Sequence, residues 1–210
     1  MKQSNFATTS KGECMLITEV IELRPADNAV ANNFDPADAR AVIGESPLNT
    51  QATALLYTIG VKIYPHGNPV DVGVQYLQYF LKHELGQSQQ SLTIHDGCGL
   101  CIHNRLSPLA LTTLLRYGYS NEKIRQSLMD NLALAGVDGT LAREMTKPAT
   151  RGKVRAKTGT LSHPYGISSL AGFCDAPNGH TLAFAIMDSE MSVLDARVLQ
   201  RKLCEAMTKE

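Results

Sequence analysis

The stretch from Lys153 to Met187 constrains the fold most, because its pattern reads as an antiparallel meander. Lys153-Val154-Arg155-Ala156-Lys157-Thr158-Gly159 alternates polar and apolar residues, the period of a half-buried strand. Ile167-Ser168-Ser169-Leu170-Ala171-Gly172-Phe173 supplies a second strand and Thr181-Leu182-Ala183-Phe184-Ala185-Ile186-Met187 a third. Between these two stands Pro177-Asn178-Gly179, and Asn-Gly accepts the positive φ that a tight hairpin demands. Such a sheet has to bury a face. A closing helix from about Ser192 offers a cover, with Leu194, Val198, Leu199, Leu203 and Ala206 expected to face inward.

Upstream the apolar residues recur at helical spacing. Ala52, Leu55, Leu56, Ile59 and Ile63 mark one helix, with Gly60 weakening it near its end. Asn68-Pro69 opens a second helix, with Asn as cap and Pro in the first turn, and the helix ends near Gly86. Ser107-Pro108 opens a third in the same way, and Asn121 to Met129 forms a short fourth. Ser91 to Ile94 is a strand candidate. Helices, then a meander, then a helix indicate an α+β domain with helices packed on an antiparallel sheet. Residues 46–210 carry this pattern. Residues 1–45 form a poorly defined N-terminal segment: Met15 to Leu23 is one apolar-rich element, helix or strand, and residues 25–46 read as a loop with one short helix.

Charge balance excludes some partners. The 20 Lys and Arg cancel the 20 Asp and Glu, so nothing recruits nucleic acid or an anionic membrane. No apolar run reaches the roughly 18 residues of a membrane span. No signal-peptide pattern follows Met1, which gives a cytoplasmic expectation for the chain as written. Five Cys, an odd number, argue against a secreted disulfide framework.

Two segments can carry chemistry. On a strand bordering a cleft, Lys157 can attract a carboxylate, Thr158 can hydrogen-bond it, and Gly159 leaves room for close approach. The same residues also describe a surface lysine before a turn. The second segment holds His95, Cys98, Cys101 and His103, donor types that suit tetrahedral zinc, while Cys-Gly-Leu-Cys fits a redox pair. The competing reading there is two small buried Cys.

Asp96-Gly97-Cys98-Gly99-Leu100-Cys101-Ile102-His103-Asn104-Arg105-Leu106-Ser107-Pro108 resembles a segment of the low-molecular-mass class C penicillin-binding proteins, which are serine D-Ala-D-Ala carboxypeptidases and endopeptidases. That family has Ser at the positions of Cys98 and Cys101, and Arg at Ile102. Leu132-Ala133-Leu134-Ala135-Gly136-Val137-Asp138-Gly139-Thr140-Leu141 is similar to a second family segment, and Lys157-Thr158-Gly159 with Leu170-Ala171-Gly172-Phe173 to a third. The segments come in the family's order, and the resemblance covers about residues 46–208. It implies the C-terminal portion of a penicillin-recognising, β-lactamase-like transpeptidase fold acting on peptidoglycan peptides, with neither metal nor other cofactor. It implies that Lys157 and Thr158 bind the terminal carboxylate of a D-Ala-D-Ala peptide and that Thr160 lends its N–H to the oxyanion. The family is typically periplasmic or extracellular.

Two family elements are incomplete. Asn49 matches the Asn of Ser-x-Asn, but Pro47 stands where Ser belongs and Ser46 is out of register. Ala26-Asp27-Asn28, the rival match, also lacks Ser. No nucleophile is found: residues 1–45 contain no Ser-x-x-Lys, Thr8-Thr9-Ser10-Lys11 has Thr in the serine position, and Ser120-Asn121-Glu122-Lys123 is out of order. The expectation is a degenerate or partial chain, inactive alone, whose partners are a D-Ala-D-Ala peptide or peptidoglycan fragment and a missing N-terminal half or another chain. The alternative is a small metal or redox module built on His95, Cys98, Cys101 and His103.

Overall fold

A computed structural model describes residues 15–22, 49–88, 92–162 and 165–209. Its centre is a five-stranded antiparallel sheet, ordered β1-β7-β6-β5-β4. The expected meander forms β5 (Val154–Leu161), β6 (Ile167–Asp175) and β7 (Thr181–Ser189). The Asn-Gly turn closes β6 onto β7: Gly179 sits at φ +78, and the Asn178 side chain accepts from the His180 N–H at 3.1 Å. β1 (Met15–Glu22) resolves the helix-or-strand ambiguity, pairing with β7 from Met15↔Ser189 to Glu22↔Leu182. The loop expected over residues 25–46 lies outside the described residues. β4 (Ala133–Leu134) pairs only with Ala156 and Arg155. From Lys157 onward, the outer edge of β5 therefore carries no strand among the described residues.

Helices cover both faces. This is why β7 reads as a continuous apolar run, with each residue from Ala183 to Ile186 buried. One face packs Phe173 and Ala183 against Leu115 and Tyr119 of α3 (Pro108–Ser120) and Leu128 and Met129 of α4 (Glu122–Asp130). The other packs Val154, Ala156, Leu170, Phe184 and Ile186 with Cys204 of α5 (Val193–Met207). The expected inward face of α5 is corrected here. Leu194 is 73% exposed and Val198 39%, while Ala196, Gln200 and Cys204 are buried. Of the expected inward residues Leu203 does pack on the core, together with Met207, whereas Leu194, Val198 and Ala206 lie exposed.

The helix starts are local and match their signals. Asn68 accepts from the N–H groups of Val70 and Asp71 at the head of α2 (Pro69–Tyr79), and Ser107 accepts from Ala110 at the head of α3. A single π-helical turn, Phe80–Glu84, prolongs α2 toward Gly86. α1 (Asn49–Ile63) crosses α2 at Gly60, where an added Cβ would lie 1.8 Å from the Pro69 carbonyl oxygen. Gly60 is thus a contact point between helices, not the weak end that its propensity suggests. A two-stranded ribbon, β2 (Leu92–Thr93) with β3 (Arg105–Leu106), joins this helix pair to α3.

Candidate functional site

The Lys-Thr-Gly segment lies on β5 where its outer edge carries no strand among the described residues. Lys157 is exposed, and its ammonium donates to the Thr158 carbonyl of its own strand at 2.7 Å. Partial burial against the sheet lowers its pKa below the ordinary lysine value. Thr158 is held from the side: its hydroxyl donates to the Thr140 hydroxyl at 3.0 Å. Gly159 packs tightly, since a Cβ there would lie 2.3 Å from the Ser169 hydroxyl oxygen. Thr160 is exposed on the same edge strand. Past the end of β5 an open concavity of about 550 Å³ is lined by Ser162, Tyr165, Gly166, Glu190 and Met191 among others; none of Lys157 to Thr160 lines it.

Thr140 reaches β5 because its segment folds on itself. The Asp138 carboxylate accepts from the Leu134 N–H at 2.6 Å, and Gly136 and Gly139 take φ of +68 and +53. The turn Gly139–Leu141 then stands beside β5, with Leu141 buried in the core. Sequence reasoning recognised Asp138 to Leu141 as a family segment but did not single out Thr140. The contact spans 18 residues, and no local periodicity announces it.

Asp96 organises the second segment. Its Oδ1 accepts from the Gly99 N–H and the Asn104 amide, each at 2.8 Å. Its Oδ2 accepts from the Cys101 N–H at 2.7 Å and from the Cys98 thiol at 3.6 Å. Burial pushes the carboxyl up, but the donors from Asn104, Cys101, Gly99 and Cys98 together hold it below the usual aspartate value. Asn104 in turn accepts from the His95 N–H at 2.7 Å. The loop docks on α1: a Cβ at Gly97 would lie 2.9 Å from the Ala52 carbonyl oxygen.

The metal reading of this loop is corrected by that geometry. The rings of His95 and His103 lie exposed, edge to face, with centroids 6.1 Å apart. Cys98 and Cys101 are free, half-buried thiols. Among the described residues no group of three or more His, Cys, Asp or Glu side chains converges as a metal site. The loop's donors turn toward the Asp96 carboxylate instead.

Asn49 is the first residue of α1. The literal Ser120-to-Lys123 match is a joint between helices. Ser120 ends α3, and Asn121 caps α4 through the Lys123 N–H. A serine nucleophile activated within one helix needs its lysine a turn further along that helix, and the chain breaks between these two.

No described helix is long and apolar enough to cross a membrane. Residues 45–209 match the family described as the D-Ala-D-Ala carboxypeptidase 3 (S13) family. The chain is 37% identical over 91 residues to the D-alanyl-D-alanine carboxypeptidase DacB of Haemophilus influenzae, covering 42% of this chain and 18% of that protein. It is 36% identical over 110 residues to a D-alanyl-D-alanine carboxypeptidase of an Actinomadura species, covering 50% and 20%. The crystal structure of penicillin binding protein 4 from Haemophilus influenzae superposes with a TM-score of 0.70 at 26% identity, over 83% of this chain and 40% of that one. The chain thus spans less than half the length of these relatives. The helices on an antiparallel sheet are the expected penicillin-recognising fold, in part.

Proposed function

The chain belongs to the D-Ala-D-Ala carboxypeptidase 3 (S13) family, and from that premise we propose that it binds the D-Ala-D-Ala end of peptidoglycan peptides along β5. The observation that carries this reading is the Lys157 ammonium at the start of the open edge, beside a Thr158 hydroxyl held by Thr140. Lys157 pairs with the terminal carboxylate, Thr158 hydrogen-bonds it, Gly159 permits close approach, and the Thr160 N–H faces the carbonyl oxygen that would become an oxyanion. Asn49, at the head of α1, is the remaining member of the site.

Carboxypeptidase chemistry needs a serine nucleophile with its lysine base, and the sequence offers no such pair on one helix. Binding energy survives the loss of a nucleophile, whereas covalent turnover does not. Residues 46–210 are read as the binding portion of such a fold, degenerate or partial and inactive alone, with residues 1–45 as a separate segment. Peptides of this kind belong to the cell wall, so the proposed site of action is periplasmic or extracellular.

Calorimetric titration with an acylated peptide ending in D-Ala-D-Ala tests the reading. A charge-assisted hydrogen bond contributes roughly 1.5–3 kcal/mol. Lys157→Ala is expected to weaken binding about tenfold to a hundredfold, with little change in melting temperature because the side chain is exposed. Equal affinities for the two proteins would mean that β5 anchors nothing.

A further inference from the structure

Asp96 draws two cysteines to one oxygen. Its Oδ2 accepts from the Cys98 thiol at 3.6 Å and from the Cys101 backbone N–H at 2.7 Å. The chain between them is bent by Gly99, which sits at φ +78 with its N–H held by Oδ1. The Cys101 carbonyl accepts from the Asn104 N–H at 3.1 Å, so the turn is fixed beyond the pair as well. Behind, the loop is pinned, because a Cβ on Gly97 would strike Ala52 and Leu56 of α1. In front it is open: a Cβ on Gly99 would meet nothing within 4 Å, and Leu100 is 53% exposed. The arc between the two cysteines thus has room to adjust, and a disulfide needs their Cα atoms within about 7 Å of each other.

These are also the accessible cysteines among the described residues. Cys98 and Cys101 are half-buried, whereas Cys174 and Cys204 are sealed in the core, where burial holds both thiols far from ionisation. Exchange requires a thiolate that the attacking molecule can reach. A hydroxyl would serve the Asp96 hydrogen bond better than a thiol, which is a weak donor. What sulfur adds at both positions is the capacity to join.

We propose that Cys98 and Cys101 form a reversible disulfide site, closed by exchange with a small disulfide of the glutathione class. One cysteine thiolate attacks the small disulfide, expels a thiolate and leaves a mixed disulfide. The other cysteine thiolate attacks the protein sulfur of that bond and expels the second small thiolate. Two cysteine thiols become one S–S bond, one small disulfide is reduced to two thiols, and the two cysteine protons end on the expelled thiolates. Asp96 loses the Cys98 donor and keeps those from Gly99, Cys101 and Asn104, so the loop retains its anchor while the bond ties its open side. The site needs neither His95 nor His103, and it does not depend on the peptide-binding reading.

The test equilibrates the full chain in glutathione buffers of rising oxidised fraction, alkylates it and maps it by mass spectrometry. Trypsin releases residues 83–105, which hold Cys98 and Cys101 and no other cysteine. That peptide is expected to lose two hydrogens and escape alkylation, reversibly, while Cys174 and Cys204 are alkylated only after denaturation. Neither Cys98→Ser nor Cys101→Ser can close the bond, and at least one of them is expected to stop at the mixed disulfide with glutathione. The folded chain is expected to close at an oxidised fraction about tenfold lower than the same chain in urea, because the turn raises the effective concentration of one sulfur at the other. A peptide that stays reduced across the series overturns the proposal. So does a bond from either cysteine to Cys14 or to a second copy of the chain. Closure no easier in the folded chain than in urea overturns it too, and that comparison uses the wild-type sequence, so it stands even where a variant fails to fold.

Discussion

Asp188 shows how a single side chain can act against the fold that holds it. It is only 2% exposed and sits on the α5 side of the sheet. Gln200 donates to its Oδ2 at 2.8 Å and to the Ser168 hydroxyl at 3.0 Å, while Oδ1 has no hydrogen-bond partner among the described residues. Burial raises its pKa above the ordinary aspartate value, and the Gln200 bond only partly offsets this. The folded chain therefore holds the proton to higher pH than the unfolded chain does. The stability associated with that proton is complete below the unfolded pKa and is lost as pH rises through the folded one. Asp188→Asn is expected to melt above wild type at pH 8, with the gap closing toward pH 4. Parallel thermal scans check it; a gap independent of pH would mean that the carboxyl stays in one protonation state throughout. The buried thiols of the same core are similarly pushed away from ionisation, Cys174 up to about 12 and Cys204 further still.

At the level of elements, Gly60 separates propensity from packing. In an isolated helix Gly→Ala stabilises by about 1 kcal/mol. Here the new Cβ would meet the Pro69 backbone at 1.8 Å and force α1 away from α2, and overpacking of that kind costs about 1–3 kcal/mol. Gly60→Ala is expected to lower the melting temperature; a rise would restore the propensity reading. This position also marks what the sequence could convey. The caps at Asn68 and Ser107, the Asn178-Gly179 turn and the three meander strands were legible because each signal sits within a few residues of its effect. The strand that carries Lys157 to Thr160 was legible through its alternation, and the binding role proposed for it came from the resemblance. The contact of Thr140 with Thr158, the gathering of donors on Asp96 and the burial of Ala196, Gln200 and Cys204 on α5 were not. The first depends on a turn meeting a distant strand. The second depends on a carboxylate capturing N–H groups that look free in a linear reading. The third depends on which arc of the helix meets the sheet, which takes Ala196, Gln200 and Cys204 inward beside Leu203 and leaves Leu194 exposed.

Across the whole molecule the packing is uneven. The sheet is covered by α3 and α4 on one side and α5 on the other, whereas α1 packs chiefly on α2 and leaves a face bare. Regions with less burial open locally at lower free energy than the core. Amides of α1 and α2 are expected to exchange with solvent faster than those of β6 and β7. Native-state hydrogen exchange measures this directly; slowest amides within α1 would contradict it.

The brevity of β4 has a consequence beyond recognition. A strand edge without a neighbour invites a second copy to add itself, and repetition of that step is the start of an aggregate. The run of β5 that is unpaired among the described residues opens with Lys157, whose charge would have to be buried or set near its own kind if two such edges zipped together. The same ammonium that is proposed to welcome a carboxylate thus acts as a gatekeeper, preserving solubility at the place where the sheet is least finished.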